Sequence, residues 1–270
     1  MEKHPTVHEL FDITGKVFLV AGGGRDLGKD MAVALAEAGA AGVITSRDGS
    51  LAAATAGEIS AATGKKILGL PLDAAHENEV ENVFNAIIEN FGRIDIAVNC
   101  VGGGALQQTA ARFEESPLES WEAMHRLNLH TSFLLCKHAA ALMKKQGSGA
   151  IINIASIAGV IGRDRRVYPE GMSPQSVSYA SAKSAVIGFS RDLAAYLGPY
   201  GIRVNTISPG GFRRNQPPAF IEAYANKVPL GRMGRDGVDM KGAVLFLASE
   251  ASSYVTGHNL VVDGGFTIWQ

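Results

Sequence analysis

A chain of 270 residues, 46% hydrophobic and 19% charged, carries enough apolar material for a sizeable core and fits one α/β domain or two small ones. Its formal net charge of −1 gives no electrostatic case for nucleic acid or an anionic membrane as partner. No uninterrupted apolar run reaches ~18 residues, and the start lacks the apolar stretch of a signal peptide, so a cytoplasmic protein is expected.

Residues 1–10 read as a loose arm and 11–270 as a single domain. Residues 16–21 are a short apolar run, hence a first strand. It enters Gly22-Gly-Gly-Arg-Asp-Leu-Gly28, followed by a helical stretch over 29–38 that Gly39 closes. Strand, glycine turn and helix in that order make a phosphate cradle, because the backbone approaches closely and helix N–H groups point at the anion. Residues 42–45 form a second strand, and Ser46-Arg47-Asp48 then stand where an adenosine ribose lies in open α/β sheets. The Ala-rich residues 51–63 read as a helix and 66–72 as a third strand. That strand ends at Asp73, which also suits a helix N-cap before Glu77. Val80, Val83, Phe84, Ile87 and Ile88 recur at helical spacing, and residues 94–98 are a fourth strand. Cys100 and Cys136 have neither metal-ligand nor disulfide spacing, so they read as buried thiols and no metal is expected.

Ser116-Pro117, with Glu119 three residues after the Ser, starts a long helix that contains Asn128. His125, His130 and His138 show no partner spacing. Residues 150–155 form a buried parallel strand that ends at Ser156, a position facing the ligand crevice. Its hydroxyl can hydrogen-bond the oxygen of a reacting carbonyl or carbinol. Tyr179 and Lys183 follow on a helix over 178–197 and lie on one face, one turn apart. A free phenol titrates near ~10. The neighbouring ammonium is expected to pull that value towards neutrality, which gives a proton donor and acceptor for general acid–base work. Residues 201–208 are a sixth strand, ending in Pro209-Gly210-Gly211. Residues 212–230 are expected to form a mobile lid, with Phe220 and Tyr224 at helical spacing, that excludes water. A helix over 238–248 and a last strand over 259–265 complete the chain. The apolar tail Phe266-Thr-Ile-Trp269 suggests burial in a homo-oligomer, a tetramer or dimer. Strands alternating with helices imply a parallel α/β sheet of about seven strands, helices on both faces and right-handed crossovers.

The glycine turn, Asn99-Cys-Val-Gly102, Asn128, Ser156, the Tyr179/Lys183 pair and Ser208-Pro-Gly210 occur in an order that resembles the short-chain dehydrogenase/reductase family. The resemblance runs from about Thr14 to the C-terminus and is closest to sugar, polyol or gluconate 5-dehydrogenase-like members. It implies a doubly wound Rossmann sheet, a nicotinamide dinucleotide, and interconversion of a secondary alcohol and a ketone. Tyr179 would pass the proton, and Lys183 would lower its pKa and hold the ribose. Ser156 would orient the carbonyl, and Asn128 would interrupt the helix and hold a water linked to Lys183. Cofactor contacts are implied in the glycine turn at Gly22, Gly24, Arg25, Asp26, Leu27 and Gly28. Further contacts fall on Ser46 and Arg47, and on Leu72 and Asp73, the last at the adenine. Asn99 would bridge neighbouring strand ends, beside Val101, while Gly102-Gly-Gly104 would leave room for the ribose. Pro209 and Gly210 would pack on the nicotinamide, and the backbone of Gly211 and Phe212 would meet its carboxamide.

Three departures from the family pattern bear on the cofactor. Thr-Gly-x-x-x-Gly-x-Gly falls on Ala21, Gly22, Asp26 and Gly28, so Asp replaces the middle Gly and would repel a pyrophosphate unless it turns away or pairs with Arg25. A Thr usual a few residues after Pro209-Gly210 is absent, and Phe212-Arg-Arg-Asn215 stands there instead. The acidic position after the second strand holds Ser46. With Arg47 beside it and Arg25 in the turn, this favours NADP(H) over NAD(H), although Asp48 would serve NAD(H) if the register slipped.

On the substrate side, residues 160–175 form an insertion between Ser156 and Tyr179. Arg163, Arg165 and Arg166 there suit an anionic group, subunit contacts or solvent, and Tyr168 suits a pocket wall. Gly103 and Phe220 complete the expected substrate side. A polar sugar, polyol or hydroxy acid fits best. A 3-oxoacyl-carrier-protein reductase, which needs a basic surface for its acidic carrier, is the alternative. A catalytically silent NADP(H)-binding sensor is an alternative of another class, favoured by Asp26 and the missing Thr and opposed by the intact Ser156, Tyr179, Lys183 and Asn128.

Overall fold

The computed structural model describes residues 4–103 and 113–269. In chain order the first half runs α1 (Val7–Phe11), β1 (Val17–Ala21), α2 (Asp26–Glu37), β2 (Ala41–Ser46), α3 (Gly49–Thr63), β3 (Ile67–Pro71), α4 (Glu77–Phe91) and β4 (Ile96–Asn99). The second half runs α5 (Leu118–His125), α6 (Thr131–Gln146), β5 (Gly149–Ile154), α7 (Val177–Leu197), β6 (Ile202–Pro209), β7 (Phe212–Arg213), α8 (Pro218–Ala225), β8 (Gly234–Arg235), α9 (Lys241–Ala248) and β9 (Asn259–Val262). Seven of these strands form one sheet in the order β3-β2-β1-β4-β5-β6-β9, parallel at every pairing, and β7 pairs with β8 apart from it.

The sheet is buried on both faces, which explains the continuous apolar runs in its strands. Along β1, Phe18 and Val20 belong to a core with Met31, Leu35, Val244 and Leu247, whereas Val17, Leu19 and Ala21 belong to another with Phe84, Ile87, Leu135 and Met143. Alternate strand residues face opposite sides, so helices cover both faces, as the doubly wound reading requires. The strand order reverses at β1, whose neighbours are β2 and β4. A ligand crevice opens at such a switch point, beyond the carboxyl ends of the strands. Among the described residues no helix is long and apolar enough to cross a membrane.

Several elements differ from the expectation. Residues 7–11 are not a loose arm: Thr6 and Glu9 form a reciprocal capping box that starts α1. The long helix expected from 117 onward is by contrast interrupted where the resemblance implied, by a π-helical segment, Arg126–His130, that contains Asn128 and lies between α5 and α6. Asp73 does not cap α4. Its Oδ1 accepts the Ala75 N–H at 3.1 Å, and His76 occupies the cap position without a side-chain bond. The tail is partly accounted for within the chain, since Phe266 is buried beside Phe220, Tyr224 and Val228 while Ile268 and Trp269 stay exposed.

Gly69 in β3 shows how closely α3 lies on the sheet, because a Cβ there would collide with the Ala52 carbonyl. Gly69→Ala is therefore expected to cost about 2–3 kcal/mol of unfolding free energy, measured by urea denaturation.

Candidate active site

The glycine turn between β1 and α2 is shaped for a close-lying ligand. Gly22 has φ +79, and a Cβ there would lie 2.9 Å from the Cys100 carbonyl. A Cβ on Gly28 would collide with the Gly22 carbonyl, so strand, turn and helix are in backbone contact. Asp26 has φ 54 and is the one non-glycine with positive φ among the described residues. It takes a conformation that glycine adopts freely and that Asp tolerates better than most side chains. Its carboxylate lies 3.6 Å from Arg25 Nε, as the sequence suggested, and closer, at 3.3 Å, to Arg214 Nε, which the sequence did not suggest.

At the end of β2, Asp48 is engaged within the chain. Its Oδ1 accepts the N–H groups of Ser50 and Leu51 at 3.0 and 3.2 Å, capping α3, and the Ser46 hydroxyl accepts the Asp48 N–H at 3.2 Å. Arg47 is exposed. At the end of β4, Asn99 does not bridge strand ends. Its amide donates to the Ser132 hydroxyl of α6 at 2.7 Å, and its Oδ1 accepts the Val101 N–H at 3.2 Å.

Asn128 is completely buried within the π segment, a helical irregularity that recurs at functional sites. Its side chain holds the backbone of Gly103 by two bonds, N–H to Oδ1 at 3.1 Å and Nδ2 to the carbonyl at 3.2 Å, and donates also to the Met124 carbonyl at 3.0 Å. Gly102 separates Asn128 from Lys183. A Cβ at Gly102 would strike Asn128 Oδ1 and lie 3.2 Å from Lys183 Nζ. Gly104 lies outside the described residues.

Helix α7 starts at Ser176, whose hydroxyl accepts the Tyr179 N–H at 3.3 Å. One turn of this helix carries Tyr179 and Lys183, both buried, with Lys183 Nζ 5.9 Å from the centre of the phenol ring. Lys183 Nζ donates to the Ile154 carbonyl at 2.7 Å, which ties the helix to the end of β5. Ser156, two residues further, is 8% exposed, and its oxygen accepts the Ala158 N–H at 3.1 Å.

Most of these elements border a cleft of about 420 Å³, whose lining does not include Asn99, Asn128 or Ser156. Its wall takes in the glycine turn, Ser46 and Arg47, Leu72 and Asp73, Val101 to Gly103, the Tyr179/Lys183 turn and Pro209. Cys100, Leu127, Thr131, Gln175 and Arg214 also line it, and none of them was singled out from the sequence as a site residue. Other expected residues are placed elsewhere. Gly210 lies under Asp263, and Phe212 packs in the core. The Gly211 N–H donates to the Tyr224 hydroxyl at 2.6 Å, so this lid residue holds the group expected to meet a carboxamide. Phe220 packs against Tyr168, ring centres 5.3 Å apart and tilted by 49°, inside the apolar cluster under α8, and neither lines the cleft.

The arginines of the insertion do not reach the cleft. Arg163 Nη1 donates to Gln175 Oε1 at 3.0 Å, and Nη2 donates to the carbonyls of Gln175 and Ser176 at 2.8 and 3.0 Å. It pins the insertion to the start of α7. Arg166 pairs with Asp164 at 2.8 Å. With exposed Arg165 they line a second cavity of about 660 Å³, beside Lys227 and Trp269, that shares no residue with the first.

Residues 21–267 match the family described as enoyl-(acyl carrier protein) reductase. The chain is 34% identical to a 3-oxoacyl-[acyl-carrier-protein] reductase of Synechocystis over 95% of its own length and 99% of the relative's. It is 34% identical to a D-threitol dehydrogenase of Mycolicibacterium smegmatis over 96% and 95%. Its fold superposes with TM-score 0.87 on a gluconate 5-dehydrogenase of Burkholderia cenocepacia solved with NADP and tartrate, at 32% identity, covering 98% and 100% of the two chains. The chain belongs to the short-chain dehydrogenase/reductase family.

For a short-chain dehydrogenase/reductase, the electrostatics of the Tyr179/Lys183 turn differ from the expected direction. Burial pushes the Tyr179 phenol above its ordinary value, opposed by the Ser156 hydrogen bond and the Arg163 charge. Burial also pulls Lys183 down to about 8. Desolvation is the largest cause acting on both groups. Since the folded pKa of Lys183 is depressed, the unfolded chain binds the extra proton between pH 8 and 10.5, and stability rises with pH across that window. Lys183→Met is therefore expected to gain on the wild type at pH 7 and to lose about 2–3 kcal/mol of that relative gain by pH 10.5. The difference in unfolding free energy between the two proteins, measured at both pH values, checks this.

Proposed function

We propose that the protein interconverts a secondary alcohol and a ketone, using a nicotinamide dinucleotide held in the cleft and preferring NADP(H). The observation that carries this reading is that Tyr179 and Lys183 line the same cleft as the glycine turn, with the Ser156 hydroxyl close enough to act on the Tyr179 phenol. The backbone contacts at Gly22 and Gly28 hold the turn tightly between β1 and α2, so that the first residues of α2 line the cleft. When bound, the nicotinamide supplies or accepts a hydride.

The chain's own residues supply position and the proton. The Ser156 hydroxyl, fixed at the end of β5, holds the substrate oxygen. Tyr179 passes the proton at that oxygen, and its raised pKa keeps it protonated, the form that ketone reduction consumes. Lys183 stabilises the phenolate formed and binds a ribose hydroxyl. Asn128 fixes the Gly102–Gly103 backbone and anchors the water that links to Lys183.

Preference for NADP(H) rests on the end of β2. Asp48 is consumed as the cap of α3, which removes the carboxylate that would have served a ribose diol. Uncharged Ser46 and exposed Arg25 and Arg47 remain there, suited to a 2′-phosphate. A structural neighbour was solved with NADP bound.

For the substrate, a sugar, polyol or hydroxy acid fits a polar cleft. The relatives include a D-threitol dehydrogenase and a gluconate 5-dehydrogenase bound to tartrate. A carrier-linked 3-oxoacyl substrate is the second reading, supported by the reductases among the relatives and by the exposed basic groups Arg165, Arg166 and Lys227 outside the cleft. The exposed Ile268 and Trp269 support a homo-oligomer, and residues 11–270 are taken as one domain.

Tyr179→Phe is expected to lose nearly all turnover and still bind NADPH, as read by steady-state kinetics and fluorescence titration. Arg47→Ser is expected to weaken NADPH binding about tenfold, the order of one charge-assisted contact, and to leave NADH nearly unchanged. Turnover on keto-sugars and polyols rather than on acetoacetyl thioesters would separate the two substrate readings.

A further inference from the structure

Two departures from the family pattern, far apart in sequence, meet in space. Asp26 replaces a glycine of the phosphate turn, and Arg214 falls in the Phe212-Arg-Arg-Asn215 stretch that lacks the usual Thr. Arg214 Nε lies 3.3 Å from Asp26 Oδ1, and both residues line the cleft. We propose that Arg214 is a cofactor-positioning residue that neutralises Asp26 and presents a cation to the diphosphate, so that each departure makes the other tolerable. This rests on the reading that the cleft holds a nicotinamide dinucleotide.

The charge arrangement supports the pairing. Asp26 begins α2, where helix N–H groups collect an anion, and its carboxylate adds negative charge at the place that attracts phosphates. Arg25 approaches it only to 3.6 Å and is 78% exposed, so solvent screens that contact. Arg214 is 26% exposed and nearer.

Arg214 is also held in place. Its N–H donates to Gln216 Oε1 at 2.7 Å, and Gln216 Nε2 donates to the Phe212 carbonyl at 2.8 Å. Its Nε donates to Asp236 Oδ1 at 2.8 Å. Nη2 lies 2.6 Å from the same oxygen without hydrogen-bond geometry, and this buried nitrogen has no hydrogen-bond partner among the described residues. It is a donor still available for an anion in the cleft. Buried Asp30, which accepts the Gly237 N–H at 3.0 Å, adds a third carboxyl group to this corner. Arg214 is thus the half-buried cation set among Asp26, Asp30 and Asp236.

The consequence is a specific non-additivity. Without Arg214, Asp26 faces the diphosphate uncompensated. Without Asp26, Arg214 keeps Asp236 but has one carboxylate fewer competing with the phosphates. Dissociation constants for NADPH, measured by fluorescence titration of the full chain at fixed salt, test this in the wild type, Asp26→Gly, Arg214→Thr and the double variant. Arg214→Thr is expected to weaken binding about tenfold or more, Asp26→Gly to leave it unchanged or tighter, and the double variant to return within about threefold of the wild type. Arg214→Lys, which keeps the charge, is expected to recover most of the affinity. Arg214→Gln, which removes the charge and keeps most of the length, stands in for Arg214→Thr if that variant melts early without cofactor. The pairing is overturned if Arg214→Thr weakens binding equally in the wild-type and Asp26→Gly backgrounds, or weakens it in neither. A wild type that binds neither NADPH nor NADH overturns the cofactor reading itself.

Discussion

A lysine ammonium held out of water is the constraint around which the cleft is built. Lys183 is 4% exposed, and among the described residues its charged end donates to one backbone carbonyl, that of Ile154 at the end of β5. Burying a charge with one polar partner is costly, and proteins keep such groups where chemistry needs them. The surroundings conform to it. Gly102 has no side chain because one would crowd both Nζ and Asn128, and Gly159 has none because its Cβ would press on the Lys183 backbone at 2.7 Å. Ala182, fully buried beside Lys183, lets α7 lie close against its neighbours.

The parallel sheet makes this arrangement possible. β1, β4 and β5 are adjacent and parallel, so the glycine turn, the Asn99–Gly103 segment and Ser156 emerge at one edge without long connections. Helix α7 then brings Tyr179 and Lys183 to that edge. The π segment in the preceding helix turns the Asn128 amide onto the backbone of Gly103, fixing the third strand end in the same corner. Lys183, Ser156 and Asn128 are each held by bonds to main chain, a form of preorganisation that places reacting groups without reordering them.

Much of this was legible in the sequence because its signals are local. Strand β1 reads as five consecutive buried apolar residues, and the Tyr179/Lys183 spacing defines one helical face wherever the helix sits. Helix α1 carries its signal too, in Thr6 and Glu9 three residues apart, but it buries nothing and so leaves no apolar periodicity to read. What the sequence did not disclose depended on non-local burial or on where a side chain is spent. The phenol's pKa rises because desolvation at Tyr179 exceeds the pull of the Ser156 hydrogen bond and the Arg163 charge, a balance that spacing alone does not contain. Asp48 was open to two roles until its contacts with Ser50 and Leu51 showed it capping a helix. Arg163 reads as a free cation in an insertion and is in fact bonded to Gln175 and Ser176. Arg214 was visible only as the absence of a threonine, and its meeting with Asp26 is a product of the fold.

The claim on which the chemistry rests is that burial, more than mutual attraction, sets the proton affinities at this site. The most direct measurement is an NMR titration of the Lys183 side chain in protein labelled with ¹⁵N-lysine, without cofactor. Titration near 8, well below the surface lysines, is the expected result. A Lys183 that titrates with the surface lysines, near 10.5, would contradict it.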